Sequence, residues 1–432
     1  MNLNKSTLRK NLFYCIFILS FLPFISLLFD LSVYQDLLPK LANIFGYFGA
    51  LILFWQFFLG IRGVVKRLNP DYDWAIKIHT YLGIYGSIFI FLHPIFLMIH
   101  RNNSIESMIF LNFSTEYQSF VSYGKLAFFL FMVLWVTSTV ARKSMNYRSW
   151  LYIHYISYPL IFFTLLHPFK IGSYLIEFPL IYFYWISLCI LMIVFIFYKI
   201  LDILNLSFNK FRVIEVKNFP GDTYTILYEP VTSPFKDIKP GQYFYIKMNN
   251  LGEAHPFSIL EYDEFSNKLK FGIKKLGKYS TLLANAKVGD IHYLDGPFGE
   301  FTIEGQNDEP KVILAGGIGI TPFFELVQQY GNNDTFLFYA NKNLDTALYR
   351  DKFKELLKSN YYDFIDESVP LKSNVFCELI SANKIKELLK NSNISSLNYF
   401  ICGSPGFTKS MINCLKSLSV PRNKIYIEEF EY

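Results

Sequence analysis

The sequence predicts a chain in two parts, a six-helix transmembrane bundle followed by an antiparallel β-barrel and an α/β nucleotide-binding domain. Three observations predict it. Long apolar runs fill residues 1–201, whereas residues 206–432 return to mixed polar sequence. Four histidines lie inside helix-length apolar segments as two pairs, His79 with His93 and His154 with His167, 14 and 13 residues apart. In the polar half, a glycine-rich turn joins a buried apolar run to a helix-like segment. Composition alone decides less: the chain is 52% hydrophobic with a mean hydropathy of +0.26, and soluble domains are about half apolar as well. The net charge of +6 over 432 residues is modest and lacks the dense Lys/Arg stripe that nucleic-acid binding needs. Cys15, Cys189, Cys377, Cys402 and Cys414 show no C-x-x-C spacing, so neither a disulfide framework nor a zinc site is indicated.

A bilayer crossing takes about 20 apolar residues. Six segments satisfy this, near 12–29, 42–60, 76–99, 121–141, 150–168 and 177–199. The loops on one side carry Lys5, Arg9, Lys10, Arg62, Lys66, Arg67, Lys77, Arg142, Lys143 and Arg148; the other side carries Lys40, Arg101, Lys125 and Lys170. The positive-inside rule makes the first side cytoplasmic and puts both termini there. Lys5, Arg9 and Lys10 before an apolar run resemble the start of a signal peptide. No small-residue cleavage site follows, so the first segment is read as a retained helix.

Imidazole is costly in hydrocarbon unless it faces the bundle interior with a partner. A single histidine there is more often a hydrogen-bonded core residue. Four, paired by spacing on the third and fifth segments, point to axial ligation of two hemes, since neutral imidazole is a common ligand to heme iron. Both segments run outward from the cytoplasm. His79 and His154 therefore lie near the inner face, and His93 and His167 nearer the outer, roughly 20 Å away at 1.5 Å per residue. Fourteen helical steps return nearly to the same face, but thirteen land roughly 140° away. A kink at Pro159 is expected to correct the second register. Pro94 and Pro168, each directly after a histidine, are expected to interrupt their helices. His100, beside Arg101, reads as a solvated helix end.

From residue 206 short strands take over. Phe211–Val216 and Thr223–Tyr228 alternate or are β-branched, and Pro240-Gly241-Gln242 turns into a strand. His255-Pro256-Phe257-Ser258 follows, then a segment holding Lys274, Gly277, Tyr279, Ser280 and Thr281. Gly277 gives backbone access, and Ser280-Thr281 is expected to open a helix whose N-terminus takes phosphate. Gly289-Asp290 and the run Gly296-Pro297-Phe298-Gly299 close the barrel as turns. Taken singly, each of these is an ordinary barrel turn; their order is the specific signal.

The second unit starts near 310. Val312–Ala315 reads as a buried strand; Gly316, Gly317, Gly319, Thr321 and Pro322 form a turn, and Phe323–Gln329 an apolar helix. The glycines let the backbone approach a pyrophosphate, and the helix start supplies N–H groups. Strand Phe336–Tyr339, helix 344–358, strand Tyr399–Cys402 and helix 406–417 continue the α/β alternation.

With these motifs in place, the chain resembles the NADPH oxidase and ferric reductase family of transmembrane flavocytochromes, over nearly its whole length. The resemblance implies a six-helix transmembrane heme bundle (1–203) followed by a ferredoxin-NADP reductase-like module: an antiparallel β-barrel FAD domain (206–305) and an α/β NAD(P)-binding domain (308–432). It implies two heme b groups with iron ligated by His79, His93, His154 and His167. It places His255 at the FAD phosphates and Ser258 near the reactive edge of the flavin, with Pro256 and Phe257 in the same motif. Lys274, Gly277, Tyr279, Ser280 and Thr281 correspond to the second FAD turn. Gly316, Gly317, Gly319 and Thr321 correspond to the nicotinamide-dinucleotide turn. Cys402-Gly403 matches the family's C-G-P element beside the nicotinamide, although here Ser404 precedes Pro405. Cys402 is a candidate for shaping the hydride-transfer site; a buried small residue is the equal alternative. Phe430 in Glu428-Glu429-Phe430 matches the family's terminal aromatic over the flavin, with Tyr432 as a rival. No calcium-binding hands precede the first helix, so calcium switching is not expected.

The expected function is therefore passage of electrons from cytosolic NAD(P)H through FAD and two hemes to an acceptor outside. Lys342 and Arg350 follow the second strand of the dinucleotide unit, where a 2′-phosphate would sit, and no acidic residue ends that strand; NADPH is favoured over NADH. The outer loops offer Arg101, Glu106, Glu116 and Glu177 but no Met- or His-rich tract, which favours oxygen, giving superoxide, over ferric chelates. Other readings are an electron-transfer subunit feeding a partner on the outer face, and a membrane anchor or channel with a degenerate reductase domain. The expected partners are a small-molecule acceptor and the lipid bilayer, with no nucleic acid and no obligatory protein partner, in a bacterial plasma membrane.

Overall fold

The computed structural model describes residues 5–29, 36–69, 71–102, 106–204, 206, 208–249, 252–367, 373–390 and 392–429. Phe430 and Tyr432 lie outside them. The chain divides into two compact units, Met1–Leu201 and Asp202–Tyr432.

The first unit is an integral membrane domain. Among the described residues six helices are long and apolar enough to cross a membrane: α1 (Thr7–Ile25), α2 (Leu37–Leu59), α3 (Trp74–Arg101), α4 (Glu116–Val140), α5 (Arg148–Ile171) and α6 (Pro179–Leu201). α2 is 56% buried against 6–22% for the others, so it runs through the middle of the bundle. Aromatic packing fixes it there: Tyr47 stacks on Phe24 with centroids 4.6 Å apart, and Trp185, fully buried, meets Tyr47 edge-on. Trp185 also donates Nε1–H to the Leu165 carbonyl at 2.8 Å, which satisfies its one polar atom in an apolar interior. Leu180, Phe183, Ile190, Ile193 and Phe197 on α6 are exposed, as a lipid-facing surface requires.

Prolines act differently on the two histidine-bearing spans. Pro94 sits inside an uninterrupted helix, Ser87–Arg101, so the expected interruption after His93 is not found. In α5 the helix breaks between Tyr147–His154 and Ser157–Leu166. Pro159 has no N–H for the Tyr155 carbonyl, and the Tyr158 N–H takes that carbonyl at 3.1 Å; the Ile156 N–H likewise reaches back three residues, to Ile153 at 2.9 Å. Such i→i+3 steps turn the chain by about 120° each instead of 100°. The added rotation falls between His154 and His167, where the 13-residue spacing needs it. A second break follows at His167, and Pro168 opens a new turn, Pro168–Ile171.

The second unit opens with a closed antiparallel barrel of β1 (Asn209–Phe219), β2 (Thr223–Pro230), β3 (Tyr243–Lys247), β4 (His255–Asp263), β5 (Lys268–Lys274) and β6 (Ile291–Phe298), ordered β1-β2-β5-β4-β3-β6. Helix α7 (Lys278–Leu283) follows β5. Phe211, Tyr224, Tyr228, Phe244, Ile246, Phe271 and Leu294 fill the interior.

A six-stranded parallel sheet follows. It comprises β7 (Lys311–Gly316), β8 (Thr335–Asn341), β9 (Tyr361–Ile365), β10 (Val375–Phe376), β11 (Asn398–Gly403) and β12 (Ile425–Glu429), in the order β10-β9-β8-β7-β11-β12. It is wrapped by α8 (Phe324–Tyr330), α9 (Arg350–Leu357), α10 (Ala382–Leu388) and α11 (Pro405–Ser417). β7 lies between β8 and β11, so the strand order reverses there. Ligands in open α/β sheets bind at the carboxyl ends of strands at such a point. Two expected helices start later than their patterns suggest. Gly317–Phe323 is a 3-10 turn, with Pro322 inside it, before α8 begins. Residues 344–349 are turns as well, because Thr346 donates its N–H to Asn343 Oδ1 and its hydroxyl to the Asn343 carbonyl, and Tyr349 adopts φ +60° before α9.

Candidate redox site

The four membrane histidines form two facing pairs. His79 and His154 have ring centroids 6.1 Å apart, tilted by 56°; His93 and His167 are 6.4 Å apart, tilted by 55°. Nδ1 of His79 bonds the Gln56 carbonyl at 2.7 Å, Nδ1 of His93 the Ala42 carbonyl at 2.7 Å, and Nδ1 of His167 the Phe163 carbonyl at 3.2 Å. A carbonyl only accepts, so each of these nitrogens carries the proton and each Nε2 keeps its lone pair. Both α2 carbonyls come from the central span, which holds the first ring of each pair. Close approach needs the absence of side chains: a Cβ on Gly46 would stand 2.7 Å from His93 Nδ1, and one on Gly124 3.2 Å from His167 Cδ2. His100 is exposed in the last turn of its helix, outside both pairs.

In the barrel the two flavin-type motifs come together. The His255 ring stacks on Tyr279 with centroids 3.8 Å apart, and Phe257 lies parallel to Tyr279 at 6.2 Å. The Tyr279 hydroxyl donates to the Ile246 carbonyl at 2.6 Å and pins the ring against β3. Burial lowers the His255 pKa, and Glu253, 3.6 Å from Nε2, pulls the other way without reversing it; the imidazole is neutral at pH 7. Ser258 is buried in β4, Pro256 is exposed beside it, and Lys274 ends β5. The expected helix start at Ser280-Thr281 is corrected: Gly277 caps α7, and Ser280 lies in its first turn. The Ser280 hydroxyl oxygen accepts the N–H groups of Leu276 at 3.0 Å and Gly277 at 3.1 Å. Capping chemistry, which wants a hydroxyl three residues inside, accounts for the shift. Thr281 is exposed on the same helix, and the Cβ side of Gly277 faces open space.

At the switch point of the sheet, glycines allow backbone to meet backbone. A Cβ on Gly319 would collide with the Cys402 carbonyl at 2.3 Å, and those on Gly316 and Gly403 with the Phe407 ring. Gly317, at φ +54°, has nothing within 4 Å of its Cβ position. Thr321 is buried; it donates to the Ile318 carbonyl and packs where Gly272 of β5 leaves room, so its side chain joins turn to barrel. Cys402 is fully buried at the end of β11, paired in register with Ala315 and Glu428; burial, then the Glu428 charge, pushes its thiol well above the usual range. The thiol is therefore neutral.

Lys342 is exposed after β8. Arg350, expected beside it as a reader of phosphate, is committed elsewhere. Its Nε donates to Asp363 Oδ2 at 2.9 Å and a terminal nitrogen reaches the same oxygen at 2.8 Å, while the Tyr361 hydroxyl holds Oδ1 at 2.6 Å. Asp363 is only 1% exposed, and a buried carboxylate demands such a partner.

Residues 10–165 match the family of the ferric reductase like transmembrane component, residues 208–321 an FAD-binding domain family, and residues 313–412 an oxidoreductase NAD-binding domain family. A probable ferric reduction oxidase 1 of Arabidopsis thaliana is 24% identical over 313 residues, spanning 69% of this chain and 42% of that protein. The chain belongs to the NADPH oxidase and ferric reductase family. This member thus joins a ferric-reductase-like transmembrane domain to FAD-binding and NAD-binding domains. The reductase component of propane 2-monooxygenase from Mycolicibacterium goodii is 27% identical over 238 residues, covering 51% of this chain and 66% of its own. The chain spans less than two thirds of the length of these curated relatives. Among solved structures, the FAD/NAD-binding domain of nitric oxide dioxygenase from Vibrio cholerae aligns over 51% of this chain and 98% of its own, at 20% identity and a TM-score of 0.45.

One cluster in this family member had no signal in the sequence. Glu261 on β4 takes Lys270 of β5 at 2.8 Å, Lys352 of α9 at 2.5 Å and the Tyr349 hydroxyl at 2.9 Å. Glu325 on α8 accepts the Tyr262 N–H at 3.0 Å. Barrel and nucleotide domain are thereby joined through polar contacts. Burial raises the Glu261 pKa, but the two lysines outweigh it and leave it lowered. No spacing rule connects positions 88 and 91 residues apart, so only the fold reveals them.

Proposed function

We propose that this protein is a transmembrane oxidoreductase in which His79 with His154 and His93 with His167 each hold one heme, and which carries electrons from cytosolic NAD(P)H to oxygen on the opposite face. The observation that supports this most directly is the spacing of the two imidazole pairs. A metal–nitrogen bond of about 2.0–2.1 Å on each side, added to the two ring half-widths, puts axial imidazole centroids roughly 6.3 Å apart. The separations of 6.1 and 6.4 Å fit one metal between each pair. The protonated Nδ1 atoms leave Nε2 as the ligating atom, as metal-bound histidines require. The open flanks of Gly277 and Gly317 likewise fit FAD and the dinucleotide, whose phosphates need backbone approach at those turns.

Bound there, FAD and the two hemes would supply the conversion of a two-electron donor into a one-electron output. The residues supply position. His255, Pro256, Phe257 and Ser258 on β4, with Lys274, Gly277, Tyr279, Ser280 and Thr281 around the start of α7, frame the FAD. Gly316, Gly317, Gly319 and Thr321 with Cys402 and Gly403 frame the nicotinamide dinucleotide, and exposed Lys342 is the cation left for a 2′-phosphate. Phe430 is proposed to cover the flavin until nicotinamide displaces it.

Oxygen is favoured because the outer loops carry no Met- or His-rich tract to bind iron; Arg101 there bonds the Tyr117 hydroxyl at 3.0 Å and Glu116 pairs with Lys170 at 3.2 Å. Ferric-chelate reduction is the second reading, favoured by the Arabidopsis relative, whose similarity reaches into the membrane half. Both place the termini and the nucleotide-binding half in the cytoplasm. Purified protein in liposomes, given NADPH or NADH inside, decides. Oxygen reduction predicts dismutase-sensitive cytochrome c reduction outside; ferric reduction predicts dismutase-insensitive ferrous production. Absence of a bis-imidazole heme spectrum would refute both.

A further inference from the structure

The four imidazoles are not held alike. Three direct Nδ1 to a backbone carbonyl, a partner that no substitution removes. The fourth, His154, faces a side chain: its Nδ1 lies 3.4 Å from the Ser138 hydroxyl. Ser138 sits in a π-helical turn, Val136–Val140, at the end of α4. Its neighbours Thr137 and Thr139 donate their hydroxyls back to the carbonyls of Val133 and Trp135, bonding that accompanies distortion of a helix. The widened turn presents Ser138 to α5. There its oxygen also accepts Nε1–H from Trp150 at 3.3 Å, and the Trp150 ring lies against His154 with centroids 4.8 Å apart, tilted by 32°. The Arg142 guanidinium lies 4.6 Å over that indole.

We infer that Ser138 is the positioning residue for His154 and tunes the heme at the His79/His154 level, an inference that rests on the axial-pair reading above. With Nε2 on the metal, Nδ1 would keep the proton, and the hydroxyl oxygen would accept it and set which way the ring points. Donation of Nδ1–H to an acceptor makes a ligating Nε2 more basic and favours the oxidised metal. Ser138 shares its oxygen with Trp150, so it is a weaker acceptor than an unshared carbonyl. Removing it lowers the basicity of Nε2; removing the competing indole N–H raises it.

The test is spectroelectrochemical titration of the heme bands in the purified holoprotein, comparing wild type with Ser138→Ala, Ser138→Thr and Trp150→Phe. Ser138→Ala is expected to move one of two heme transitions to more positive potential and leave the other in place. Ser138→Thr restores it, because the hydroxyl returns. Trp150→Phe keeps an aromatic ring against His154 but deletes the N–H, and moves the same transition to more negative potential. This second variant carries the test if Ser138→Ala does not assemble. Unchanged midpoints in Ser138→Ala, or a shift of the same sign in both variants, would overturn the inference while leaving the two-heme reading intact. A wild-type protein without low-spin bis-imidazole bands would instead sink the axial-pair reading, and the inference with it.

Discussion

Substitution of Gly46 by alanine tests the heme reading at the outer level without touching a ligand. Gly46 lies on α2 one turn after Ala42, whose carbonyl holds His93 at 2.7 Å. A Cβ there would stand 2.7 Å from His93 Nδ1 and 2.8 Å from Cε1. Comfortable contact needs about 3.5 Å, so the ring must retreat by roughly 0.8 Å. It cannot do so and keep its bond to Ala42, since the same helix supplies both. Overpacking of this kind costs about 1–3 kcal/mol, and loss of a ligand's supporting hydrogen bond typically weakens metal binding by about 10–100-fold. Gly60→Ala is the control: its Cβ would meet His79 Cε1 at 3.6 Å, an ordinary contact, at helical φ −74°. Heme and flavin are quantified in the purified proteins by pyridine hemochrome and FAD absorbance. Gly46→Ala should fall from two hemes per FAD toward one, or show one displaced redox transition, while Gly60→Ala keeps two. If both variants carry two hemes with wild-type midpoints, His93 does not hold iron in the position described.

Four further variants, all in the second unit, have expected outcomes. Arg350→Ala leaves Asp363 buried with only Tyr361 and the more distant Lys354, so thermal unfolding should report a loss of about 3 kcal/mol, with KM for NADPH and NADH moving together; Lys342→Ala should instead lose roughly tenfold in kcat/KM for NADPH alone, and an equal loss for both cofactors would remove the 2′-phosphate argument. Glu261→Gln should cost about 1 kcal/mol at pH 7, after allowing for the half-exposed Lys352. Because the folded-state pKa of Glu261 is lowered, its contribution is complete above the ordinary carboxylate value of 4.5 and disappears as pH falls through the lowered value, so wild-type and variant denaturation curves should converge in acid. Cys402→Ala should leave the pH profile of hydride transfer between pH 6 and 9 unchanged, because the buried thiol never ionises in that range; a limb lost in the variant would mean that the thiolate takes part.

In the second unit, the elements with strong local patterns are legible. The apolar runs at Val312–Ala315 and Tyr399–Cys402 are the neighbouring strands β7 and β11, and Gly319 is required by the backbone of Cys402 and Gly403. What sequence missed has a common cause. β9 reads Tyr361-Tyr-Asp-Phe-Ile, and its central Asp363 argues against a buried strand until Arg350 and Tyr361 are seen to satisfy it. Arg350, placed by its position where a 2′-phosphate would sit, shows the complementary reason, since a local reading cannot see a partner that only sheet pairing brings near. Ser280-Thr281 suggests a helix start at that pair, but the Ser280 hydroxyl serves equally three residues inside, where Gly277 is the cap.

In the membrane half, sequence supplied the ligand-type side chains and the fold supplied their orientation. Spacing alone would have set His154 and His167 on different faces of an ideal helix, and the proline expected to correct this does so through a specific exchange of partners: Tyr158 takes the carbonyl that Pro159 cannot. The rings are then aimed by groups with no sequence signature, the carbonyls of Gln56 and Ala42, which any residue at those positions would offer. Identity at positions 42 and 56 is therefore free as far as the hydrogen bond is concerned, whereas Gly46 and Ser138 are fixed by side-chain size and chemistry. The glycine is constrained by the space its missing Cβ leaves, and the serine by the one imidazole that no carbonyl reaches. Tolerance to substitution along α2 and α4 should follow that division, with positions 46 and 138 sensitive and positions 42 and 56 permissive to any residue of similar volume.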